Sequence, residues 1–275
     1  MRAGRAGGRG PVPPGLLLPR GPLVAERPVA PDVPLVAVAH GSRDPRAAAT
    51  VEELLDLVRR SSGVRVVTSY LDHAPPAPGQ ALGGLVGEGA DEAVVLPLLL
   101  TAAYHSKTDI PGVLHEARAA HPRLRLHYGA TLGPHPLMIG ALERRLAEAG
   151  VRPDPETAVV LAAAGSSDPA ANATIGRMAR GWRGWGTVVP AYASAARPTP
   201  AEAVRALYAA GARRVVVASY FLAPGFFADK VRDEALAAGA VAVSPALGAI
   251  PELAEITAQR YREALLRAAP VAVAG

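Results

Sequence analysis

Short apolar runs alternate with longer amphipathic segments along most of this chain. The run Leu35–Ala39 is wholly apolar, which is typical of a strand buried on both faces of a parallel sheet. A helix signal follows, with Asp44 as N-cap and Pro45 at the first helical position. Leu54 and Val58 then lie on one helical face. The recurrence of this order predicts an α/β fold whose parallel strands are joined by right-handed crossovers.

The same pattern predicts eight strand–helix units from Pro34 onward. Strands are expected in the first half at residues 35–39, 64–70, 93–100 and 124–128, and in the second half at 158–163, 187–192, 213–221 and 240–243. In the first half, helices are expected to begin near residues 45, 78, 108 and 136. In the second half, helices are expected at residues 169–180, 200–210, 228–237 and 251–267.

The two halves also resemble each other residue by residue. The segment VAHGSRDPRAAAT, from Val38, matches AAAGSSDPAANAT, from Ala162. The segment LPLLLTAAYHSKT, residues 96–108, has a fainter counterpart in SYFLAPGFFADKV, residues 219–231. The sequence therefore predicts two tandem, flavodoxin-like halves with four-stranded parallel sheets, related by internal duplication.

The duplication divides the chain into three parts. Residues 1–33 are rich in Gly, Pro and Arg and have one short apolar cluster, so a disordered leader is predicted there. Residues 34–150 form the first half and residues 157–270 the second, with the linker RPDPET between them. The apolar cluster is too short for a secretory signal and no small-residue cleavage pattern follows it, so a cytoplasmic location is expected.

Composition removes several classes of function. The chain has no cysteine, which excludes disulfides, thiolate-bound zinc, cysteine-held iron–sulfur clusters and cysteine nucleophiles. The net charge is +5, but the first 33 residues carry +3 of it and no basic stripe with interleaved aromatic residues is present, so no nucleic-acid partner is expected. No apolar run is long enough to span a bilayer, so no membrane partner is expected either.

Two histidines follow predicted strands of the first half. His40 comes directly after the first strand, and His105 follows the third strand and a loop of small residues. Because open α/β sheets bind ligands at the carboxyl ends of their strands, the two imidazoles are expected to face one crevice. Imidazole is a common ligand of first-row transition ions, so the pair predicts a metal site. The alternative for each histidine is simple packing against the end of the sheet.

The second half lacks both histidines. His40 aligns with Ala164, and His105 aligns with Phe227. This joint loss predicts a single site built by the first half, with the second half as the opposite wall of a cleft.

The motifs HGSRDPRA, residues 40–47, and LPLLLTAAYHSKTDIP, residues 96–111, resemble those of the class II sirohydrochlorin chelatases. These enzymes insert Co²⁺ or Fe²⁺ into sirohydrochlorin for cobalamin or siroheme biosynthesis. The resemblance covers about residues 34–270 and is stronger in the first half. It implies that His40 and His105 bind the metal and are catalytic. It also implies that the metal ion is a substrate, Co²⁺ or Fe²⁺ with Ni²⁺ as a further option, and that no organic cofactor is used.

The resemblance also implies where the polycarboxylate tetrapyrrole binds. The family has an acidic residue after the second strand in a pattern like FLE; this chain has YLD, so Asp72 is a shorter carboxylate whose role is left open. His73 beside it is a further candidate for the cleft, and Arg46 adds a cation. The substrate-binding residues expected are Ser42, Arg43, Asp72, Leu100, Thr101, Ala102, Ala103, Tyr104 and Lys107.

Two other functions share some of these sequence features. A histidine phosphatase would need an arginine directly before the nucleophilic histidine, where this chain has Ala39. A non-catalytic metal or tetrapyrrole carrier on the same fold stays open. GxSxG, P-loop and dinucleotide-binding glycine motifs are absent from the sequence. Because the duplication can replace a homodimer of single units, a monomer is favoured.

Overall fold

The computed structural model describes residues 33–102 and 105–268, with the backbone alone for His105 and Ala268. The leader predicted at residues 1–33 therefore lies outside the described residues, apart from Val33. Val33 packs on the core, and its carbonyl accepts a 2.6 Å hydrogen bond from the hydroxyl of Tyr261.

Eight strands and eight helices alternate along the described chain. The strands are β1 (Leu35–Ala39), β2 (Val66–Tyr70), β3 (Glu92–Pro97), β4 (Arg125–Tyr128), β5 (Thr157–Ala163), β6 (Val188–Tyr192), β7 (Arg214–Tyr220) and β8 (Ala242–Val243). The helices are α1 (Pro45–Ser62), α2 (Pro78–Gly87), α3 (Ile110–Ala120), α4 (Leu137–Glu148), α5 (Pro169–Gly181), α6 (Pro200–Ala209), α7 (Phe226–Ala237) and α8 (Pro251–Ala268). Within these described stretches, no helix combines the length and apolar character needed to cross a membrane.

The strands form two parallel four-stranded sheets, ordered β2–β1–β3–β4 and β6–β5–β7–β8. The predicted α/β fold with two tandem halves is thereby confirmed. The strand register repeats as well: Leu35 lies opposite Val94 in the first sheet, and Val159 lies opposite Val216 in the second. Carried along β1 and β5, this correspondence pairs His40 with Ala164, as the sequence comparison predicted. His105 and Phe227 lie beyond the paired residues, so their correspondence stays a prediction from the sequence.

The central strands β1 and β5 are buried along their whole length, as their apolar runs indicated. The third strand differs from its prediction, because it ends at Pro97 rather than at residue 100. Proline has no N–H to donate to a strand ladder, and after Leu98, whose N–H still binds the carbonyl of Val38, the chain leaves the sheet. The apolar residues that follow become a loop.

The last helix of each half packs against the sheet of the other half. Helix α4, from the first half, contacts β7, whereas α8, from the second half, contacts β3, β4 and α1. The approach of α8 is close: a Cβ atom at Gly129 would stand 2.6 Å from Leu96 Cδ1 and 3.6 Å from Ala264 Cβ. One hydrophobic cluster consequently runs through both halves. The sequence boundary at residues 152–157 is therefore not a boundary in packing.

Candidate functional site

A cleft of about 1030 Å³ lies where the carboxyl ends of the two sheets face each other. Its walls come from the ends of β1, β3, β5 and β7 and from the starts of α1, α5 and α7. Strand ends and helix starts supply backbone N–H groups and polar side chains, which is why α/β proteins bind ligands there. The volume is at the upper end of the range for small-molecule sites, so the cleft has room for a large ligand.

The two walls of this cleft are built from equivalent positions of the duplicated halves. Ser42 faces the cleft on one side and Ser166 on the other, and Asp44 and Asp168 cap the helices behind them. Each serine hydroxyl accepts a hydrogen bond from the backbone N–H of the aspartate two residues later, at 3.1 and 3.0 Å. The scaffold is thus duplicated down to individual hydrogen bonds.

A glycine makes each of the two central turns possible. Gly41 has φ +91°, and a Cβ atom there would stand 1.8 Å from the carbonyl oxygen of Asp72. The N–H of Asp72 in turn donates to the carbonyl of His40 at 2.9 Å, which ties the end of β1 to the end of β2. In the second half, Gly165 has φ +85° and would bring a Cβ atom 2.0 Å from the carbonyl oxygen of Ser194. Both positions require glycine.

The imidazole of His40 lies in the cleft and is exposed. Its Nδ1 is 3.2 Å from the carbonyl oxygen of Gly41. Because a carbonyl oxygen can only accept, Nδ1 carries the proton in this contact and Nε2 carries the lone pair. A backbone contact of this kind orients a metal-binding histidine by fixing its tautomer. If His40 binds the ion as predicted, this tautomer makes Nε2 the coordinating atom.

The turn after β2 brings His73 into the cleft lining, whereas Asp72 is exposed and lies outside that lining. His73 has φ +67°, and its counterpart Ala195 has φ +55°. Because an alanine adopts the same conformation in the other copy, the left-handed backbone belongs to the duplicated turn and is not special to the histidine. The sequence identified this turn as part of the site, and the structure distinguishes which of its two polar side chains faces the cleft.

The segment that carries His105 begins as a π-helical turn, His105–Asp109, which runs directly into α3. The sequence had predicted a helix from about residue 108. Ser106 is buried and lines the cleft, and its carbonyl accepts a 2.7 Å hydrogen bond from the hydroxyl of Tyr128. Burial raises the pKa of Tyr128 to about 12, so this hydroxyl stays protonated and keeps donating. The turn is thereby fastened to β4.

The remaining predicted site residues divide into three groups. Ser42, Arg43, Leu100 and Thr101 line the cleft. Ala102 and Lys107 are exposed and lie outside its lining. Ala103, Tyr104 and the imidazole of His105 lie outside the described parts of the chain. Within the described parts, no group of three potential metal-ligating side chains is assembled. The metal-binding role of His40 and His105 remains a prediction.

Two ion pairs connect the halves beside the cleft. The Nζ of Lys107 lies 2.7 Å from Asp168, and the Nη2 of Arg46 lies 2.6 Å from Asp229 and 2.5 Å from Asp44. The hydrogen bond from Lys107 is the main reason that the pKa of Asp168 is lowered, and Arg46 lowers that of Asp44 in the same way. The carboxylates are therefore ionised near neutral pH.

These contacts, which sequence reasoning missed, repeat with the duplication. Asp44 and Asp168 are counterparts at the helix N-caps, and each accepts a hydrogen bond from a cation of the first half, Arg46 or Lys107. Arg43 is exposed in the lining and, within the described residues, has no carboxylate partner. Cations therefore stand around the cleft on the first-half side.

Solved structures of similar architecture show what fold this is. SirB from Bacillus subtilis, solved with Fe³⁺, has a TM-score of 0.74 and 24% identity, and the match covers 84% of this chain and 94% of that one. The sirohydrochlorin chelatase SirB from Bacillus subtilis subspecies spizizenii, solved in complex with cobalt, has a TM-score of 0.70 and 22% identity, covering 85% and 95%. The two-sheet architecture is thus that of the SirB structures.

Sequence relatives extend the comparison. A sirohydrochlorin cobaltochelatase from Priestia megaterium is 30% identical over 204 residues, which are 71% of this chain and 66% of that protein. A sirohydrochlorin ferrochelatase from the same organism is 27% identical over 201 residues, 72% of this chain and 76% of that protein. The chain thus spans slightly less than two thirds of the first relative. The family model CbiX matches residues 34–149 and again 158–264, once for each half. The chain therefore belongs to the CbiX family, the class II sirohydrochlorin chelatases that its two motifs resemble.

Proposed function

We propose that this protein is a chelatase that inserts Co²⁺ or Fe²⁺ into sirohydrochlorin. One observation carries the proposal: a cleft with duplicated walls has an imidazole on one wall, at His40, and only a methyl group at the corresponding place, Ala164, on the other. A one-sided ligand set lets a metal ion approach a flat ring from one face. The names of the cobaltochelatase and ferrochelatase relatives support the substrate and the two metals.

In this mechanism the metal ion is first held by His40 and His105. The contact of His40 Nδ1 with the carbonyl of Gly41 leaves Nε2 as the donor to the ion. Two imidazoles fill only part of a transition ion's coordination sphere, so positions stay open for water and then for ring nitrogens. A closed set of four protein ligands would retain the ion, whereas the reaction requires its release.

Insertion releases two protons from the ring, because the two pyrrole N–H groups lose their hydrogens as four nitrogens bind the ion. Each imidazole that gives up the metal recovers a lone pair and accepts one of these protons. Two histidines thus balance one insertion: one divalent ion enters the ring and two protons leave it. His73, which lines the same cleft, is a further candidate to pass a proton onward to solvent.

The substrate is held through its carboxylates and its flat face. Arg43 lies in the lining. Arg46 and Lys107 stand at the rim, where each exchanges a partly exposed protein carboxylate for a carboxylate of the substrate. Leu100 and Thr101, which line the cleft after β3, contact the flat face of the ring. The second half closes the opposite side, so we propose that the protein works as a monomer in the cytoplasm.

The test is anaerobic insertion of Co²⁺, Fe²⁺ and Ni²⁺ into sirohydrochlorin, followed by absorbance, with substrate in tenfold excess over protein. A chelatase converts all of the substrate faster than the protein-free control. Conversion that stops after one equivalent would identify a carrier, and absence of any accelerated conversion would refute the proposal. Hydrolysis of a generic aryl phosphate in a parallel assay would indicate the phosphatase alternative.

A further inference from the structure

The second wall of the cleft carries an exposed aromatic pair. Phe226 is 74% exposed and Phe227 is 41% exposed, and both line the cleft. Their rings touch edge to face, with centroids 5.4 Å apart and planes at 66°. The two residues form the first turn of α7, directly opposite the wall that carries His40. An apolar surface of this size facing open space costs free energy unless a ligand covers it.

The distribution of phenylalanine in the chain strengthens this observation. The chain has only three phenylalanines, and all three, Phe221, Phe226 and Phe227, line this one cleft from the second half. The other exposed large apolar side chains in the described residues are Leu236, Val241 and Leu266, and none of them belongs to the lining. Exposed aromatic surface is therefore concentrated where the proposed substrate would lie.

The duplication adds a second, independent indication. In the sequence alignment of the two halves Phe227 corresponds to His105, so the second copy has an aromatic ring where the first has a proposed metal ligand. Asp229, on the same turn of α7, binds Arg46 across the cleft mouth. An apolar face bordered by an exchangeable cation matches a ligand with a flat, apolar centre and a carboxylate-rich edge.

We infer that Phe226 and Phe227 form a platform that binds the face of the tetrapyrrole ring turned away from His40. The inference rests on the proposed function and specifies how the second half contributes to it. Because the two rings stand at 66° to each other, the macrocycle stacks on the more exposed Phe226 and meets Phe227 at its edge. The ring is thereby held with its other face open to the metal.

The test is the Kd of metal-free sirohydrochlorin, measured by quenching of its fluorescence, for Phe226→Ala, Phe226→Leu and Phe226→Trp. Loss of the stacking ring should raise Kd about tenfold in Phe226→Ala. Phe226→Leu keeps apolar bulk without a planar face and should fall in between, while Phe226→Trp should bind as well as the wild type. Leu236→Ala is the matched control, because Leu236 is on the same helix, 46% exposed and outside the cleft. Its Kd should not change.

Two further measurements keep the outcomes distinct. The affinity for Co²⁺ alone should be the same in all four variants, since the platform holds the ring and not the ion. If the wild type binds and metallates sirohydrochlorin but Phe226→Ala binds it equally well, the platform is refuted and the chelatase proposal stands. If the wild type does neither, the proposed function itself fails. A change in sedimentation of Phe226→Ala without a change in Kd would show that the pair contacts a second copy of the chain, and would also refute the platform.

Discussion

The two walls of the cleft have the same architecture and different chemistry. Each wall has a buried strand, a glycine turn tied to the neighbouring strand, a serine and a capping aspartate in the same places. Only the first wall carries imidazoles, at His40 and His73, where the second has Ala164 and Ala195. In the proposed reaction the scaffold is needed twice to enclose a large ligand, whereas the metal ion is delivered from one side.

The two walls separate residues that belong to the fold from residues proposed to belong to the reaction. A residue kept in both walls, such as Gly41 with Gly165, serves the turn itself. A residue present in one wall only, such as His40, is proposed to serve the chemistry. Substitutions at corresponding positions therefore separate the two roles within one molecule.

The largest effect is expected from the histidines. His40→Ala and His105→Ala should each reduce the rate of metal insertion roughly 10²- to 10⁴-fold, because each removes a ligand and a proton acceptor. The double variant should be little slower than the worse single variant, since residues that act as one unit are non-additive. The measurement is absorbance-monitored insertion of Co²⁺ into sirohydrochlorin.

The matched control lies on the opposite wall. Ala164→Ser changes the counterpart of His40 and should leave the rate within about twofold, because that wall supplies no ligand. Near-normal turnover in His40→Ala, or a large loss in Ala164→Ser, would contradict the one-sided assignment.

The next effect is a loss of unfolding free energy, and it should be equal for substitutions in the two walls of the cleft. Gly41→Ala and Gly165→Ala each place a Cβ atom about 2 Å from a backbone carbonyl oxygen, at a positive φ. Each should lower the free energy of unfolding by about 2–4 kcal/mol, through strain and a clash that only backbone movement relieves. Urea unfolding measures both. A loss confined to Gly41→Ala would show that the turns are not equivalent.

Sequence periodicity predicted most of the fold because parallel strands that are buried on both faces leave continuous apolar runs. The run at residues 98–100 shows the limit of that signal. Leu98 is buried and Leu99 and Leu100 are partly buried, yet all three lie beyond the end of β3 and line the cleft. An apolar run records burial, and it does not distinguish a strand from a loop that packs into a site.

The packing of α4 and α8 against the sheet of the opposite half could not be predicted from the sequence, for a similar physical reason. The apolar stripe of α4, with Met138, Leu142 and Leu146, predicts a buried face but not which sheet covers it. At the site, the sequence predicted Asp72 after β2 as a cleft residue. The tight turn there places His73 in the cleft lining instead. The sequence gives one indication of the aromatic pair, namely that all three phenylalanines lie in the second half.

A smaller effect is expected from the cations at the rim. Lys107→Met removes the partner of Asp168 and one contact for a substrate carboxylate, so KM for sirohydrochlorin should rise several-fold with kcat about unchanged. Because the pair is exposed, the effect should shrink as ionic strength rises. Steady-state kinetics at low and high salt measure it, with Arg213→Met, an exposed cation paired with Glu156 away from the cleft, as the control. A KM that responds equally to both substitutions would exclude a specific contact.

The smallest effect compares one tyrosine from each half. Tyr128 donates to the carbonyl of Ser106 at 2.7 Å, in the turn that carries His105, and Tyr192 donates to the carbonyl of Asn172 at 3.0 Å, in α5. Burial raises the pKa of both hydroxyls, so both bonds persist at neutral pH and both Tyr→Phe variants should lose about 1 kcal/mol of unfolding free energy. Only Tyr128→Phe should also slow metal insertion, by about threefold, because only its bond holds a segment that bears a proposed ligand. Equal rates in the two variants, at equal loss of stability, would show that the π-helical turn positions His105 without help from Tyr128.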